Sequence, residues 1–323
     1  MSEQTFEFVK TNGVTLRVAT SGDGPLVVLV HGFPESWYSW RHQIKALSEA
    51  GYRVAAPDVR GYGESERPEA VEAYDLESLT GDIAGLAEAL SPGEKAVVVG
   101  HDWGAPIAWN TARLHADKFR AVAGLSVPYM PMGDVMFLDM VHKVFTERGL
   151  FFYQVYFQDI GPPEAELEAD PAETIRKFYY AISGDAPDGT WPTDKKHGDT
   201  LLHRLPEPPM PLPWLDTDDV AYYDSQFRKS GFRGPLNRYR NHARDYAFLK
   251  NHPANPVIQQ PSLFIGGTKD LVLKMFQGDI VAAMKPNLAG LRGCHLLEGC
   301  GHWTQQERPE AVNRHLIDWL GGL

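Results

Sequence analysis

One pentapeptide, Gly100-His101-Asp102-Trp103-Gly104, combines a reactive side chain with an unusual backbone. Its spacing is that of the Gly-x-Ser-x-Gly nucleophile elbow, with Asp102 at the serine position. Before it, Ala96 to Val99 forms a short apolar run typical of a strand buried on both faces. After it, Ala105 to His115 has the apolar spacing of a helix. The pattern therefore predicts a sharp strand–turn–helix unit that exposes the Asp102 carboxylate.

A carboxylate at this position indicates a particular chemistry. Asp102 needs no base to activate it, because an unperturbed aspartate has a pKa of about 3.9 and is ionised at neutral pH. Carboxylates attack carbon weakly, so the suitable target is a strained or activated sp³ carbon, as in an epoxide or a carbon–halogen bond. The product is an alkyl ester of the aspartate, which water must then cleave. The alternative from the pentapeptide alone is an aspartate that only caps a helix.

Composition excludes several classes of protein. The 323 residues are 43% hydrophobic and 23% charged, which is ordinary for a globular chain with a sizeable core. The formal net charge of −11 argues against nucleic acid or an anionic membrane as a partner. We find no apolar run of about 20 residues for a membrane span and no secretory signal. With only Cys294 and Cys300, the chain predicts a cytoplasmic location and no disulfide framework.

Strand and helix patterns alternate on both sides of a central segment. Asn12-Gly13 predicts a hairpin between Thr5–Lys10 and Val14–Thr20. Such alternation predicts an α/β fold, a doubly wound and mostly parallel sheet with right-handed crossovers. The further predicted strands are Leu26–Val30, Tyr52–Ala56, Ala121–Val127, Pro261–Gly267 and Leu291–Leu297, and the predicted helices include Ser36–Glu49, Leu76–Leu90 and Pro309–Leu320.

The strand pattern stops at Pro128, and the composition changes. Residues 129–248 are rich in proline, methionine and aromatics, and helical spacing recurs near Pro171–Ile182 and Asp218–Lys229. We interpret this segment as a helical cap domain, inserted over the carboxyl edge of a core formed by residues 1–128 and 249–323.

Two more polar residues follow predicted strands, as Asp102 does. Asp270 comes after Pro261–Gly267, and His302 follows the last strand. The chain order nucleophile, acid, histidine is that of the α/β-hydrolases, and the carboxyl ends of parallel strands meet in one crevice. His302 would deprotonate water, with Asp270 setting its tautomer. Two backbone amides, those of Phe33 and Trp103, are the candidate oxyanion hole.

The chain resembles the epoxide hydrolases of the α/β-hydrolase superfamily over nearly its whole length. In that family two cap tyrosines bind and protonate the epoxide oxygen, and they match Tyr153 and Tyr239 here. The resemblance implies conversion of an epoxide and water to a vicinal diol, without a metal or organic cofactor. It rests on five stretches: His31–Arg41, Gly100–Ala105, Tyr153–Gln158, Ser230–Asn241 and Gly301–Trp303.

Three further residues have a less direct interpretation. Glu35 matches a water-orienting glutamate of some family members; from sequence it either begins the helix Ser36–Glu49 or faces the pocket. Arg238 stands where many members carry an aromatic, which leaves substrate preference open. Tyr156 is interpreted as an aromatic packed in an apolar cluster rather than as an acid.

Other functions are open at this point. A haloalkane dehalogenase shares the Gly-His-Asp-Trp-Gly motif, but it needs a halide cradle, and Phe33 lies where an asparagine often contributes to one. A non-catalytic small-molecule receptor would need no base such as His302. A serine esterase is disfavoured because Asp102 replaces the serine. The Cys300-Gly301-His302 sequence lacks further ligands at metal-site spacing. The oligomeric state is open, with a homodimer as one alternative.

Overall fold

An eight-stranded sheet forms the centre of the molecule. The structure is a computed structural model and describes residues 4–276 and 278–323. Along the sheet the strand order is β1-β2-β4-β3-β5-β6-β7-β8. The pairs β1–β2 and β2–β4 are antiparallel, and all neighbouring pairs from β4 onward are parallel. The strands are β1 Thr5–Thr11, β2 Val14–Ser21, β3 Leu26–Val30, β4 Arg53–Pro57, β5 Ala96–His101, β6 Phe119–Leu125, β7 Ile258–Gly267 and β8 Leu288–Leu297.

Helices of the core cover both faces of this sheet. Helix α2 shows why: its apolar residues recur three or four positions apart and are buried, and Asp75 caps its first turn by accepting a hydrogen bond from the Ser78 amide. The core helices are α1 Arg41–Glu49, α2 Leu76–Leu90, α3 Gly104–Leu114, α11 Leu271–Lys274, α12 Ile280–Met284, α13 Thr304–Glu307 and α14 Pro309–Gly321.

Seven helices lie between β6 and β7, where the sequence predicts a helical insertion. Within residues 126–257 the structure places no strand of the sheet. This insertion contacts the core through hydrogen bonds as well as apolar packing. The Tyr223 hydroxyl, for example, lies 2.8 Å from the Ser39 hydroxyl. Its helices are α4 Phe137–Val144, α5 Tyr153–Tyr156, α6 Pro162–Ala169, α7 Pro171–Ala181, α8 Thr217–Ser230, α9 Arg233–Tyr239 and α10 His242–Asn251.

Some predicted boundaries are wrong. The helix predicted from Ser36 begins instead with a 3₁₀ turn, Trp37–Trp40, because the Ser36 hydroxyl caps the Tyr38 amide before α1 starts. Strand β6 lies earlier than predicted and ends at Leu125, after which Ser126 takes a positive φ of 65°. Strand β8 begins earlier, at Leu288, and pairs with Ile258.

The carboxyl ends of the parallel strands face the insertion. Between β3 and β5 the strand order reverses direction, which is where a doubly wound sheet opens a crevice. Strands β3, β5, β7 and β8 all end at this edge. No helix among the described residues is long and apolar enough to cross a membrane.

Candidate active site

Asp102 occupies a strained turn between β5 and α3. Its φ is +50°, a left-handed conformation that is unfavourable for a residue with a side chain. The flanking glycines make the turn possible: a Cβ at Gly100 would collide with the Gly104 carbonyl oxygen, and one at Gly104 with the Val30 carbonyl oxygen. The predicted elbow is therefore present, and it points the carboxylate out of the sheet.

Two partners hold the Asp102 carboxylate. The Phe33 amide donates to Oδ1 at 2.7 Å, and Nε2 of His302 lies 3.2 Å from Oδ2. Burial disfavours the charge, but the hydrogen bond and the charge of His302 outweigh it and lower the pKa of Asp102 below its usual value. Asp102 is thus an ionised carboxylate, as a nucleophile for carbon must be.

His302 lies between Asp102 and Asp270. Its Nδ1 is 3.1 Å from both carboxylate oxygens of Asp270, which is completely buried. Burial opposes protonation of the ring, yet the two carboxylates raise the pKa of His302 well above 6.5. Asp270 also caps α11 through the Val272 amide at 2.8 Å, so it is a helix cap and a histidine partner at once.

Of the two predicted oxyanion donors, the structure shows one in contact. Among the backbone amides of the described residues, only that of Phe33 donates a hydrogen bond to the Asp102 carboxylate. Trp103 directly follows Asp102 and is the N-cap residue of α3, so its amide lies at the positive end of that helix.

The two insertion tyrosines lie together above the carboxylate. Tyr153 begins α5 and Tyr239 ends α9, and their rings meet edge to face with centroids 6.0 Å apart. Burial, followed by the negative charge of Asp102, raises the pKa of both phenols. Both hydroxyls therefore keep their protons at neutral pH. Tyr156 packs instead against Phe151 and Phe157, as predicted.

Glu35 does not begin a helix, because the first helical turn starts at Trp37. Its side chain is buried, and its carboxylate accepts hydrogen bonds from the Gly32 backbone amide at 2.6 Å and from the Gln305 side-chain amide at 3.0 Å. Nδ1 of His101 lies 3.0 Å from the same carboxylate. The Glu35 side chain thus holds the turn that carries the Phe33 amide.

Sequence reasoning missed His101 as part of the site. Its Nε2 donates to the His302 carbonyl oxygen at 2.7 Å, and Ser126 Oγ donates to that same oxygen at 2.6 Å. These bonds fix the backbone of the loop that carries the catalytic histidine. The signal available in the sequence was a histidine at the end of an apolar strand, directly before the nucleophile; in the structure it is completely buried.

Arg238 is buried. Its guanidinium stacks 4.3 Å above the Trp103 ring and pairs with Asp245 at 2.6 Å. The planar guanidinium takes the position of an aromatic side chain because it too can stack on an indole.

The sheet, the elbow and the Asp102–His302–Asp270 arrangement define an α/β-hydrolase. Residues 25–309 match the family model of the alpha/beta hydrolase fold. The chain is 45% identical to epoxide hydrolase A of Mycobacterium tuberculosis over 100% of its own length and 99% of that protein.

Solved structures agree. Epoxide hydrolase A from Mycobacterium thermoresistibile superimposes with a TM-score of 0.92 at 44% identity, over 99% of both chains. An epoxide hydrolase from an endophytic Streptomyces gives a TM-score of 0.93 at 45% identity, over 99% of this chain and 96% of the other. The chain belongs to the epoxide hydrolases of the α/β-hydrolase fold.

Proposed function

We propose that this protein hydrolyses epoxides to vicinal diols through a covalent ester on Asp102. The observation that carries the proposal is the placement of an ionised carboxylate, a histidine–carboxylate pair and two phenols around one point. A halide ion would be held by hydrogen bonds alone, whereas two protonated tyrosines close to the nucleophile suit an alkoxide that must gain a proton.

In the first half-reaction Asp102 attacks an epoxide carbon. The bond between that carbon and the ring oxygen breaks, and the oxygen takes a proton from Tyr153 or Tyr239, which becomes a phenolate. Two phenols aimed at one oxygen can hold the epoxide before attack and share the developing charge. No base is needed, because the Asp102 carboxylate is already ionised.

Alkylation itself prepares His302 for the second half-reaction. An ester carries no charge, so one of the two carboxylates that raise the pKa of His302 disappears. His302 then gives its resting proton to the tyrosinate, and the neutral ring accepts a proton from water through Nε2 while Asp270 holds Nδ1. Glu35 supports the turn beside this water; a direct water-orienting role for it stays a prediction.

Hydroxide attacks the ester carbonyl carbon, and the resulting oxyanion lies at the Phe33 and Trp103 amides. The intermediate collapses to the Asp102 carboxylate and the diol, with the carboxylic proton passing to the departing alkoxide. His302 keeps the proton taken from water and so returns to its protonated resting state. The balance is one epoxide and one water consumed for each diol formed, with no metal or organic cofactor involved.

We also propose the role of the helical insertion and the cellular location of the enzyme. Residues 129–248 act as the cap that carries both tyrosines, and its last helix continues to Asn251. Cys294 and Cys300 are free thiols, which supports the reducing cytoplasm as its location. A homodimer stays a prediction.

Two variants test the covalent mechanism with styrene oxide as the probe. Asp102→Ala should stay folded by circular dichroism and lose turnover, because no second carboxylate is in place. His302→Gln should form ester once per site and then stop, because neutral water attacks an alkyl ester slowly. Intact-protein mass spectrometry should find it heavier by one substrate, with the adduct mapped to Asp102.

The double variant Asp102→Ala, His302→Gln is the matched control and should carry no adduct. Diol formation by Asp102→Ala within tenfold of the wild-type rate would contradict the mechanism. So would an adduct on another residue. A protein that binds the epoxide without any turnover would instead be a receptor.

A further inference from the structure

The Tyr153 hydroxyl is held by a chain of two side chains outside the catalytic set. Gln154 Nε2 donates to the Tyr153 oxygen at 2.8 Å, and the Gln154 Oε1 lies 2.8 Å from Nε2 of His242. Gln154 is buried, so its amide has little opportunity to exchange these partners for water. The chain joins α5 to the first residue of α10.

The direction of the hydrogen bonds follows from the chemistry of each group. An amide oxygen only accepts, so His242 Nε2 must donate to it and carries the ring proton. The other end of the amide donates to the phenol oxygen. The phenol proton is then free to point away from Gln154, toward the epoxide oxygen.

The opposite direction of these hydrogen bonds would prevent Tyr153 from acting as an acid. If His242 carried its proton on Nδ1, its Nε2 would accept, and Gln154 would turn its amide nitrogen toward the ring. The amide oxygen would then face Tyr153 and accept the phenol proton. The tautomer of His242 thus decides whether Tyr153 can give its proton to substrate.

The surroundings of His242 keep the ring neutral. Burial, together with the positive charge of Arg238 on α9, lowers the pKa of His242 well below 6.5. The other groups that pack on it are apolar rings: Trp103 with a centroid distance of 5.7 Å and Phe137 of α4 with 5.6 Å. His242 also begins α10, where the helix dipole disfavours a cation.

We propose that Gln154 and His242 are positioning residues that hold the Tyr153 hydroxyl as a proton donor to the epoxide oxygen. The inference rests on the proposed role of Tyr153 as an acid. It concerns ring opening only, because ester hydrolysis uses His302 and does not need the phenol proton. A substitution in the chain should therefore slow one half-reaction and spare the other.

Two substitutions at His242 separate orientation from packing. His242→Phe keeps a ring between Trp103 and Phe137 but removes the donor. Its rate of ester formation, measured by stopped flow or rapid quench with styrene oxide, should fall by about tenfold, as expected for one lost hydrogen bond. His242→Gln places an amide nitrogen near the position of Nε2 and should retain most of the wild-type rate. Ester hydrolysis should be unchanged in both.

A double-mutant cycle that combines His242→Phe with Tyr153→Phe supplies the decisive comparison. Tyr153→Phe alone should slow ester formation, and adding His242→Phe to it should cause no further loss, because no hydroxyl remains to orient. A purely structural role for His242 would give the same loss in both backgrounds. Gln154→Met, which removes the donor at similar size, repeats the test if His242→Phe does not fold.

The outcomes separate this inference from the proposed function. If Tyr153→Phe slows ester formation while His242→Phe and Gln154→Met leave it unchanged, the positioning chain is wrong and the mechanism stands. Equal losses in His242→Phe and His242→Gln would also overturn it. If Tyr153→Phe has no effect, the acid role of Tyr153 fails, and this inference fails with it. Absence of any ester in His302→Gln would overturn the proposed function itself.

Discussion

His302 lies between two carboxylates, and each half-reaction needs it in a different state. Beside ionised Asp102 and Asp270 its pKa is raised well above 6.5, so the resting ring carries a proton. That proton does not hinder the first step, because ring opening takes its proton from a phenol and needs no base. Loss of the Asp102 charge on alkylation then lowers the pKa at the moment when a base is required.

The pH dependence of ester hydrolysis tests this coupling. The base must be neutral, so hydrolysis should fall as the pH is lowered through the pKa of His302 in the ester enzyme. Asp270→Asn removes the remaining negative charge beside the ring and should move this fall to lower pH, by roughly 1 to 3 units. Single-turnover hydrolysis of preformed ester, followed from pH 5 to pH 9, measures the shift.

Ester formation in the same variant is the control. It should depend little on pH in this range, because the pKa of Asp102 lies below its usual value and the carboxylate stays ionised. An Asp270→Asn profile that coincides with the wild-type profile would show that Asp270 does not set the pKa of His302.

At the scale of elements, the turn between β5 and α3 decides where the nucleophile lies. The close approach of α3 to β5 is possible only without a side chain at Gly100, and its approach to β3 only without one at Gly104. This approach fixes Asp102 at a positive φ of 50° and brings its carboxylate to the Phe33 amide at 2.7 Å. The strain of the turn is thus part of how the site is assembled.

Gly104→Ala tests this packing. Its methyl group would meet the Val30 carbonyl oxygen, a backbone atom that cannot rotate away, so we expect a loss of about 1 to 3 kcal/mol in the free energy of unfolding. Urea unfolding measures the loss, and turnover should fall with it. Gly133→Ala is the matched control, because Gly133 is exposed and a Cβ there has nothing within 4 Å. Equal stability of the two variants would contradict the packing argument.

At the scale of the whole molecule, the helical insertion is bound to the core by directional contacts. The Tyr223 hydroxyl reaches Ser39 at 2.8 Å and Gln306 at 3.1 Å, and Tyr179 donates to the Pro34 carbonyl oxygen at 3.0 Å. All of these groups are buried, and the rings of Tyr179 and Tyr223 also pack in the apolar core. Separation of the two parts would leave polar groups and aromatic rings without partners.

We therefore expect the insertion and the core to unfold together. Differential scanning calorimetry should show one transition, with calorimetric and van't Hoff enthalpies in agreement. Tyr223→Phe should lower the free energy of unfolding by about 1 kcal/mol without splitting the transition. Two resolved transitions, or early loss of near-ultraviolet dichroism before the far-ultraviolet signal, would show that the insertion melts by itself.

The sequence by itself determined which segments form the strands of the sheet and which residues are candidates for the triad. Apolar runs such as Leu26–Val30 match their strand to the residue, because burial on both faces leaves a continuous local signal. The meeting of Asp102, Asp270 and His302 follows from chain order alone, since parallel strands bring their carboxyl ends to one edge. The tyrosines were predicted only through the resemblance.

Only the tertiary structure decided how these residues are supported. Glu35 lies 66 residues from His101 and 270 from Gln305, and His242 lies 88 from Gln154. A hydrogen bond between such distant residues leaves no period or spacing in the sequence, because its geometry depends on how elements pack. The same reason hid the stacking of Arg238 on Trp103, at a position where the family resemblance led us to expect an aromatic side chain.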